Sequence, residues 1–80
     1  MHTREQVLEE NIRKALDRLN WLYGRGDVES FELDEHTGRG TVKIGIPTAA
    51  VGKYYYSRRF HLNNSTVYYA GHQQKIEIPA

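Results

Sequence analysis

The spacing of the apolar residues changes once along this 80-residue chain, at Gly24–Gly26. Before that point apolar side chains recur every three to four residues, and after it they alternate with polar ones. A helix returns a side chain to the same face about every 3.6 residues and a strand every second residue, so one element cannot satisfy both spacings. The chain is therefore predicted to form one N-terminal helix followed by antiparallel strands.

The helix is predicted over residues 3–23. Thr3 and Gln6 are spaced as a capping box, in which each side chain accepts a hydrogen bond from the backbone N–H of the other residue. Gly24 provides the stop signal after the last turn. The apolar stripe that should face the core consists of Leu8, Ile12, Ala15, Leu16, Leu19 and Leu22.

The remainder of the chain reads as strands joined by short turns. Pro47 is expected to end the second strand, and Asn63–Asn64 to form a tight turn because asparagine tolerates positive φ. A second helix over residues 48–60, capped by Thr48, is the main rival to this interpretation. The strands are predicted at about residues 28–35, 41–46, 53–62, 65–70 and 75–78.

These elements predict a single α+β domain over residues 1–80, with the helix packed on a four- to five-stranded antiparallel sheet in two layers. A single helix covers only one face of a sheet, so the other face is expected to remain open. The face that packs on the helix is predicted from strand alternation to contain Phe31, Leu33, Val42, Ile44, Ile46, Phe60, Leu62, Val67 and Ile76.

Charge is divided unevenly along the chain. Residues 1–40 contain six Lys or Arg and nine Asp or Glu, whereas residues 41–80 contain five and one. Residues 52–69 also hold five of the six tyrosines, so the open face is predicted to be basic and tyrosine-rich. The absence of cysteine excludes disulfides and thiolate metal sites, and no cofactor or metal is expected. With no apolar stretch of membrane-spanning length and no signal-peptide pattern, a cytoplasmic location is expected.

Two candidate residues break the pattern. Arg58 falls on the core side of its strand, so either that strand lies at an edge and the guanidinium reaches out, or a bulge at 57–59 resets the register. Trp21 lies outside the helix stripe, and is either covered by the chain after Gly24 or exposed as a binding anchor. The candidate binding residues are Lys43, Tyr55, Arg58, Arg59, His61, Tyr68, Lys75 and Trp21.

The favoured hypothesis is a small non-enzymatic protein that binds a protein partner through the open face, where tyrosine and arginine are typical anchors. By analogy of size alone, it would be an inhibitor or adaptor of nucleic-acid machinery, such as a phage- or plasmid-encoded anti-defence protein. Direct nucleic-acid binding is an alternative that the net charge of +1 weakens. A second alternative is a small metal-independent ribonuclease that uses His61, His72 and Arg58 or Arg59. A third interpretation is that the tyrosines only pack across strands.

Overall fold

The computed structural model describes residues 2–80 as one helix on a five-stranded antiparallel sheet. The helix, α1, spans Arg4–Tyr23, and the strands lie across the sheet in the same order as along the chain. This confirms the α+β, two-layer architecture predicted from the change of spacing. The strands are β1 Asp27–Asp34, β2 Arg39–Thr48, β3 Gly52–Asn63, β4 Thr66–Tyr69 and β5 His72–Lys75.

The two ends of α1 are capped differently. At the N-terminus the predicted capping box is present, with Thr3 N–H donating to Gln6 Oε1 at 2.9 Å and Gln6 N–H donating to Thr3 Oγ1 at 3.2 Å. At the C-terminus Gly24 N–H donates to the Asn20 carbonyl at 2.8 Å. Leu22, predicted to belong to the buried stripe, is exposed, because Asn20 takes the buried position in the last turn.

The core lies between α1 and one face of the sheet. Phe60 packs in this layer directly over Gly40 of the neighbouring strand, where a larger side chain would collide with the ring. Phe31 meets the Phe60 ring edge-on, with 5.9 Å between centroids. The buried apolar residues are Leu8, Ile12, Ala15, Leu16, Leu19, Val28, Val42, Ile44, Phe60, Val67 and Tyr69.

The β2–β3 hairpin is longer than predicted and extends past the helix. Strand β2 was expected to end at residue 46, but its pairing with β3 continues to Thr48. Pro47 is tolerated because β1 stops pairing at Gly45, so no neighbouring strand needs the missing N–H. Near the hairpin tip Tyr54 is 59% exposed although it shares the helix side with Ile46, which shows that α1 does not reach it. The rival helix over residues 48–60 is excluded by β3.

The turns of the last two hairpins lie at different residues from those predicted. The turn between β3 and β4 is formed by Asn64–Ser65, one residue later than expected, and both residues have positive φ. The next turn is Ala70–Gly71, again with positive φ at both positions, which is the geometry of a two-residue type I′ hairpin. Strand β5 therefore begins at His72, and the predicted strand at 75–78 is wrong. A turn was expected between residues 70 and 75, and the observed one is shorter because Ala70 adopts a positive φ that is rare for alanine.

Of the two explanations left open for Arg58, the structure excludes a bulge at 57–59. The register between β2 and β3 is continuous, and the sheet's irregularity lies in β1, between Val28 and Ser30. There the Arg13 side chain of α1 donates to the Val28 carbonyl at 2.8 Å and to the Glu29 carbonyl at 3.4 Å. Arg13 therefore provides a hydrogen-bond partner for two carbonyls at the bulge.

One buried polar group joins the end of α1 to the sheet. Asn20 Oδ1 accepts from the Tyr69 hydroxyl at 2.8 Å, and Asn20 Nδ2 donates to the Gly26 carbonyl at 2.9 Å. Burial raises the pKa of Tyr69 above its ordinary value, while the nearby Arg58 guanidinium opposes that rise. The hydroxyl therefore remains a donor to Asn20 at neutral pH, and the helix end, the following loop and β4 are held together.

We expect Asn20→Ala to lower the free energy of unfolding by about 1–3 kcal/mol, because it leaves the Tyr69 hydroxyl and the Gly26 carbonyl without a protein partner. Urea unfolding of Asn20→Ala, Tyr69→Phe and the double variant measures the coupling between the two side chains. The double variant should be less destabilised than the sum of the single ones by about 0.5–3 kcal/mol. Strictly additive effects would contradict this role of the hydrogen bond.

Candidate functional site

The open face of the sheet is the face opposite α1, and no helix covers it within residues 2–80. Because side chains alternate along each strand, the odd-numbered residues of β2 and β3 point to this face. The register carries the same face onto β4 and β5 through the pairs His61–Tyr68 and Tyr68–Gln73. Six of the eight predicted binding residues lie here, all of them exposed: Lys43, Tyr55, Arg59, His61, Tyr68 and Lys75.

A row of five residues crosses the open face from one edge of the sheet to the other. In order of pairing, the row consists of Asp34, Arg39, His61, Tyr68 and Gln73. The His61 and Tyr68 rings meet edge to face at 6.4 Å. The neighbouring row is Glu32, Thr41 and Arg59, and together the two rows, apart from Gln73, line a shallow concavity.

The charge on this face is mixed, which corrects the prediction of a basic face. Strand β1 brings Glu32 and Asp34 beside Arg39 and Arg59, since pairing joins residues that are distant in sequence. None of these four side chains forms a salt bridge with another residue of the described chain. The face therefore has an acidic border along β1 and a basic centre, and both signs are available to a partner.

The Tyr55 side chain packs against residues of β2 on the open face. The Lys43 Nζ atom lies 4.5 Å from the centre of the Tyr55 ring, which is a cation–π distance. Gly45, its partner on β2, leaves room for the ring beside the Glu29 side chain. Glu29 bonds Lys53 at 3.0 Å, and this carboxylate raises the pKa of Lys53 above its ordinary value. The Tyr55 ring is nevertheless 48% exposed and available for contact.

The other two predicted binding residues lie elsewhere. Arg58 stays on the helix side of β3, with its guanidinium carbon 5.0 Å from the centre of the Tyr69 ring. Trp21 is 82% exposed on α1, so the interpretation that the following chain covers it is wrong. It lies beside Asp27 and Val28 at the start of β1, away from the open face.

The histidines expected for a ribonuclease are not brought together. His61 points to the open face, whereas His72 is paired with Tyr69 on the helix side and stacks on the Tyr23 ring at 3.4 Å. One phosphate group cannot contact both imidazoles across the sheet. Within residues 2–80 there is also no group of three or more His, Asp or Glu side chains that could hold a metal ion.

Sequence reasoning missed Arg39 and the two acids of β1. Arg39 has the same parity as Thr41 and Lys43 on β2, so the alternation that selected Lys43 also pointed to Arg39. The alternation that assigned Phe31 and Leu33 to the helix side also pointed Glu32 and Asp34 to the open face. Only their neighbours depend on the register between β1 and β2, which a bulge shifts.

We expect Phe60→Ala to lower the free energy of unfolding by about 3–5 kcal/mol, because it empties a core position over Gly40. Tyr55→Ala and Tyr68→Ala should cost much less, about 0.2–1 kcal/mol each, because they remove cross-strand contacts on an exposed face. Thermal and urea unfolding of the three variants measures the difference. If the tyrosine variants are as unstable as Phe60→Ala, the tyrosines serve packing and the open face has no free anchors.

Comparison with known proteins adds no assignment to this surface. No protein-family model, no curated protein and no solved structure matches the chain. In the described part of the chain, the helix is not apolar enough along its length to cross a bilayer. The functional argument therefore depends on the geometry and charge of the open face.

Proposed function

We propose that this chain is a non-enzymatic module that binds a protein partner through the open face of its sheet. The observation that carries the proposal is the combination of two exposed tyrosines, Tyr55 and Tyr68, with two arginines, Arg39 and Arg59, that have no ion-pair partner in residues 2–80. Tyrosine and arginine are among the residue types enriched at the positions that carry most binding energy in protein interfaces.

The energetics of this face favour binding. Tyr55 is restrained between Lys43 and Gly45, and Tyr68 contacts His61, so neither ring loses much freedom when a partner covers it. Arg59 has no salt bridge to break before it engages an acidic group. Binding therefore costs less conformational entropy at the two tyrosines, because their side chains are already restrained in the free protein.

The mixed charge favours a protein over a nucleic acid as the partner. Glu32 and Asp34 border the concavity and would repel a phosphate backbone that approached Arg39 and Arg59. A protein surface can supply groups of both signs, so it can pair with the acidic border and the basic centre at once. The inhibitor or adaptor role predicted from size fits this proposal when the partner is itself a nucleic-acid-processing protein.

We expect Tyr55→Ala, Arg59→Ala and Tyr68→Ala each to weaken binding by about 1–3 kcal/mol, as anchors do. The partner is captured on immobilised protein from a lysate of the organism that encodes the chain and is identified by mass spectrometry. Its affinity for each variant is then measured by calorimetry. Tyr23→Ala, an exposed tyrosine at the end of α1, and Arg18→Ala, also on α1, are matched controls. Equal loss in the controls and the face variants would contradict the proposal.

A second experiment separates protein binding from direct nucleic-acid binding. We expect single-stranded oligonucleotides to bind only weakly at physiological ionic strength. A face that used Lys43, Arg39 and Arg59 for phosphates would lose affinity steeply with salt, with a logarithmic slope of about −0.7 per phosphate contacted. Fluorescence anisotropy at several salt concentrations measures this. Affinity in the submicromolar range at physiological salt, abolished by Arg59→Ala, would favour nucleic acid as the partner.

A further inference from the structure

Strand β3 is much longer than the strand that follows it. It spans Gly52–Asn63, but β4 pairs only with its last three residues, His61 to Asn63. The earlier part of β3 is paired with β2 on one side, and no other strand within residues 2–80 pairs with its second side. Strand β3 is the third of the five strands, and it nevertheless has an unpaired edge over residues 53–59. This free edge begins beside the Ala70–Gly71 turn.

The direction of the backbone groups on this edge follows from one hydrogen bond. Leu62 N–H donates to the Gly38 carbonyl on the β2 side at 2.7 Å. Backbone groups alternate in direction along a strand, so the even-numbered residues of β3 bond to β2 and the odd-numbered ones point away. His61 and Asn63 use their outward groups to pair with β4. The outward N–H and C=O groups of Tyr55, Ser57 and Arg59 have no protein partner.

The free edge of β3 lacks the bulge or the short length that protects each outer edge of the sheet. Edge strands are normally blunted by bulges, prolines, charged side chains or very short length. Strand β1 has a bulge whose carbonyls are bonded by Arg13, and β5 is only four residues long. Residues 53–59 have an unbroken register with β2 and contain no proline. This segment has the geometry that accepts an additional strand.

The charge of the free edge indicates what kind of strand it would accept. Residues 53–59 contain one lysine and two arginines but no acid. Lys53 is already paired with Glu29, whereas Arg58 and Arg59 form no salt bridge in the described chain. Their side chains project to opposite faces of the sheet, so an added strand with acidic residues would meet a cation on either face.

A second copy of the chain fits this edge less well in the register of full overlap. The register that pairs residues 53–59 antiparallel with the same residues of a copy places Lys53 opposite Arg59 twice, on the same face of the joined sheet. Like charges directly opposite each other across strands are destabilising. An acidic segment reverses the sign of that interaction.

We propose that the free edge of β3 binds an extended acidic segment of the partner protein, which adds to the sheet as a strand along Tyr55–Arg59. This proposal rests on the proposed function, and it explains why one stretch is both tyrosine-rich and basic. Tyr55 and Arg59 present side chains to the open face and main-chain groups to the edge. Contacts on the face would select the partner, and the main-chain bonds would align its segment.

Amide hydrogen exchange measured by NMR tests the edge directly. In the free protein the amides of Tyr55, Ser57 and Arg59 should exchange quickly, and those of Tyr56 and Arg58 slowly, because only the latter bond to β2. The probe is a capped synthetic peptide of about seven residues with alternating valine and glutamate, matched to the length of the free edge. It should slow exchange at Tyr55, Ser57 and Arg59, whereas the same peptide with lysine in place of glutamate should not.

Two substitutions at one position separate the main chain from the side chain. Ser57→Pro removes an outward N–H without removing a bond to β2, and its ring blocks the approach of a strand. Ser57→Ala removes the hydroxyl but keeps the N–H. We expect Ser57→Pro to bind the acidic peptide at least about tenfold more weakly than Ser57→Ala does. Circular dichroism verifies that both variants are folded, and the exchange measurement on the unmodified protein does not depend on either.

The following outcomes would overturn the proposal of strand addition. Equal peptide binding by Ser57→Pro and Ser57→Ala would exclude strand addition, as would unchanged exchange at about 1 mM peptide. Dimers in sedimentation velocity that Ser57→Pro dissociates would assign the edge to a second copy, and protection by an oligonucleotide in place of the peptide would assign it to nucleic acid.

If the captured partner loses affinity for Tyr68→Ala but binds Ser57→Pro and Ser57→Ala equally, the edge proposal fails and the proposed function stands. If none of these variants affects the partner, both fail.

Discussion

The packing of α1 on one face of the sheet is the constraint on which the remaining features depend. One 20-residue helix meets a five-stranded sheet, so it covers one face, and only part of that. Leu16, Val42 and Ile44 are fully buried in this contact, while the opposite face and the tip of the β2–β3 hairpin have no cover. The exposed tyrosines of the sheet follow from this incomplete cover. Tyrosine suits such positions, since it packs through its ring and tolerates water at its hydroxyl.

The same residues of β3 contribute to both the open face and the free edge. Tyr55, Ser57 and Arg59 present side chains to the face, and because backbone direction alternates with the same period, their N–H and C=O groups point to the edge. The short β4 leaves that edge uncovered. A partner that reached both would be selected by side-chain contacts and aligned by main-chain bonds, without needing a deep pocket that 80 residues cannot enclose.

Much of the architecture could be predicted from local pattern. The capping box at Thr3 and the stop at Gly24 bounded the helix to within a residue, and alternation assigned Tyr55 and Phe60 to opposite faces. The prediction failed where a turn depended on an unusual backbone conformation. Ala70 adopts positive φ, and the strand it introduces was consequently placed three residues late. The candidate site was predicted as a set of side chains on one face, but the pairing that brings Asp34 beside Arg39 was not.

The sequence by itself determined the helix, the strands up to β4 and the face to which their side chains point, since these depend on spacing within a few neighbouring residues. Only the tertiary structure decided which distant residues became neighbours. It set Asp34 beside Arg39, separated His61 from His72, buried Asn20 against Tyr69 and left the edge of β3 free. The physical reason is that strand register and strand length depend on turn geometry and long-range pairing. A shift of one residue in either changes which side chains and which backbone groups meet.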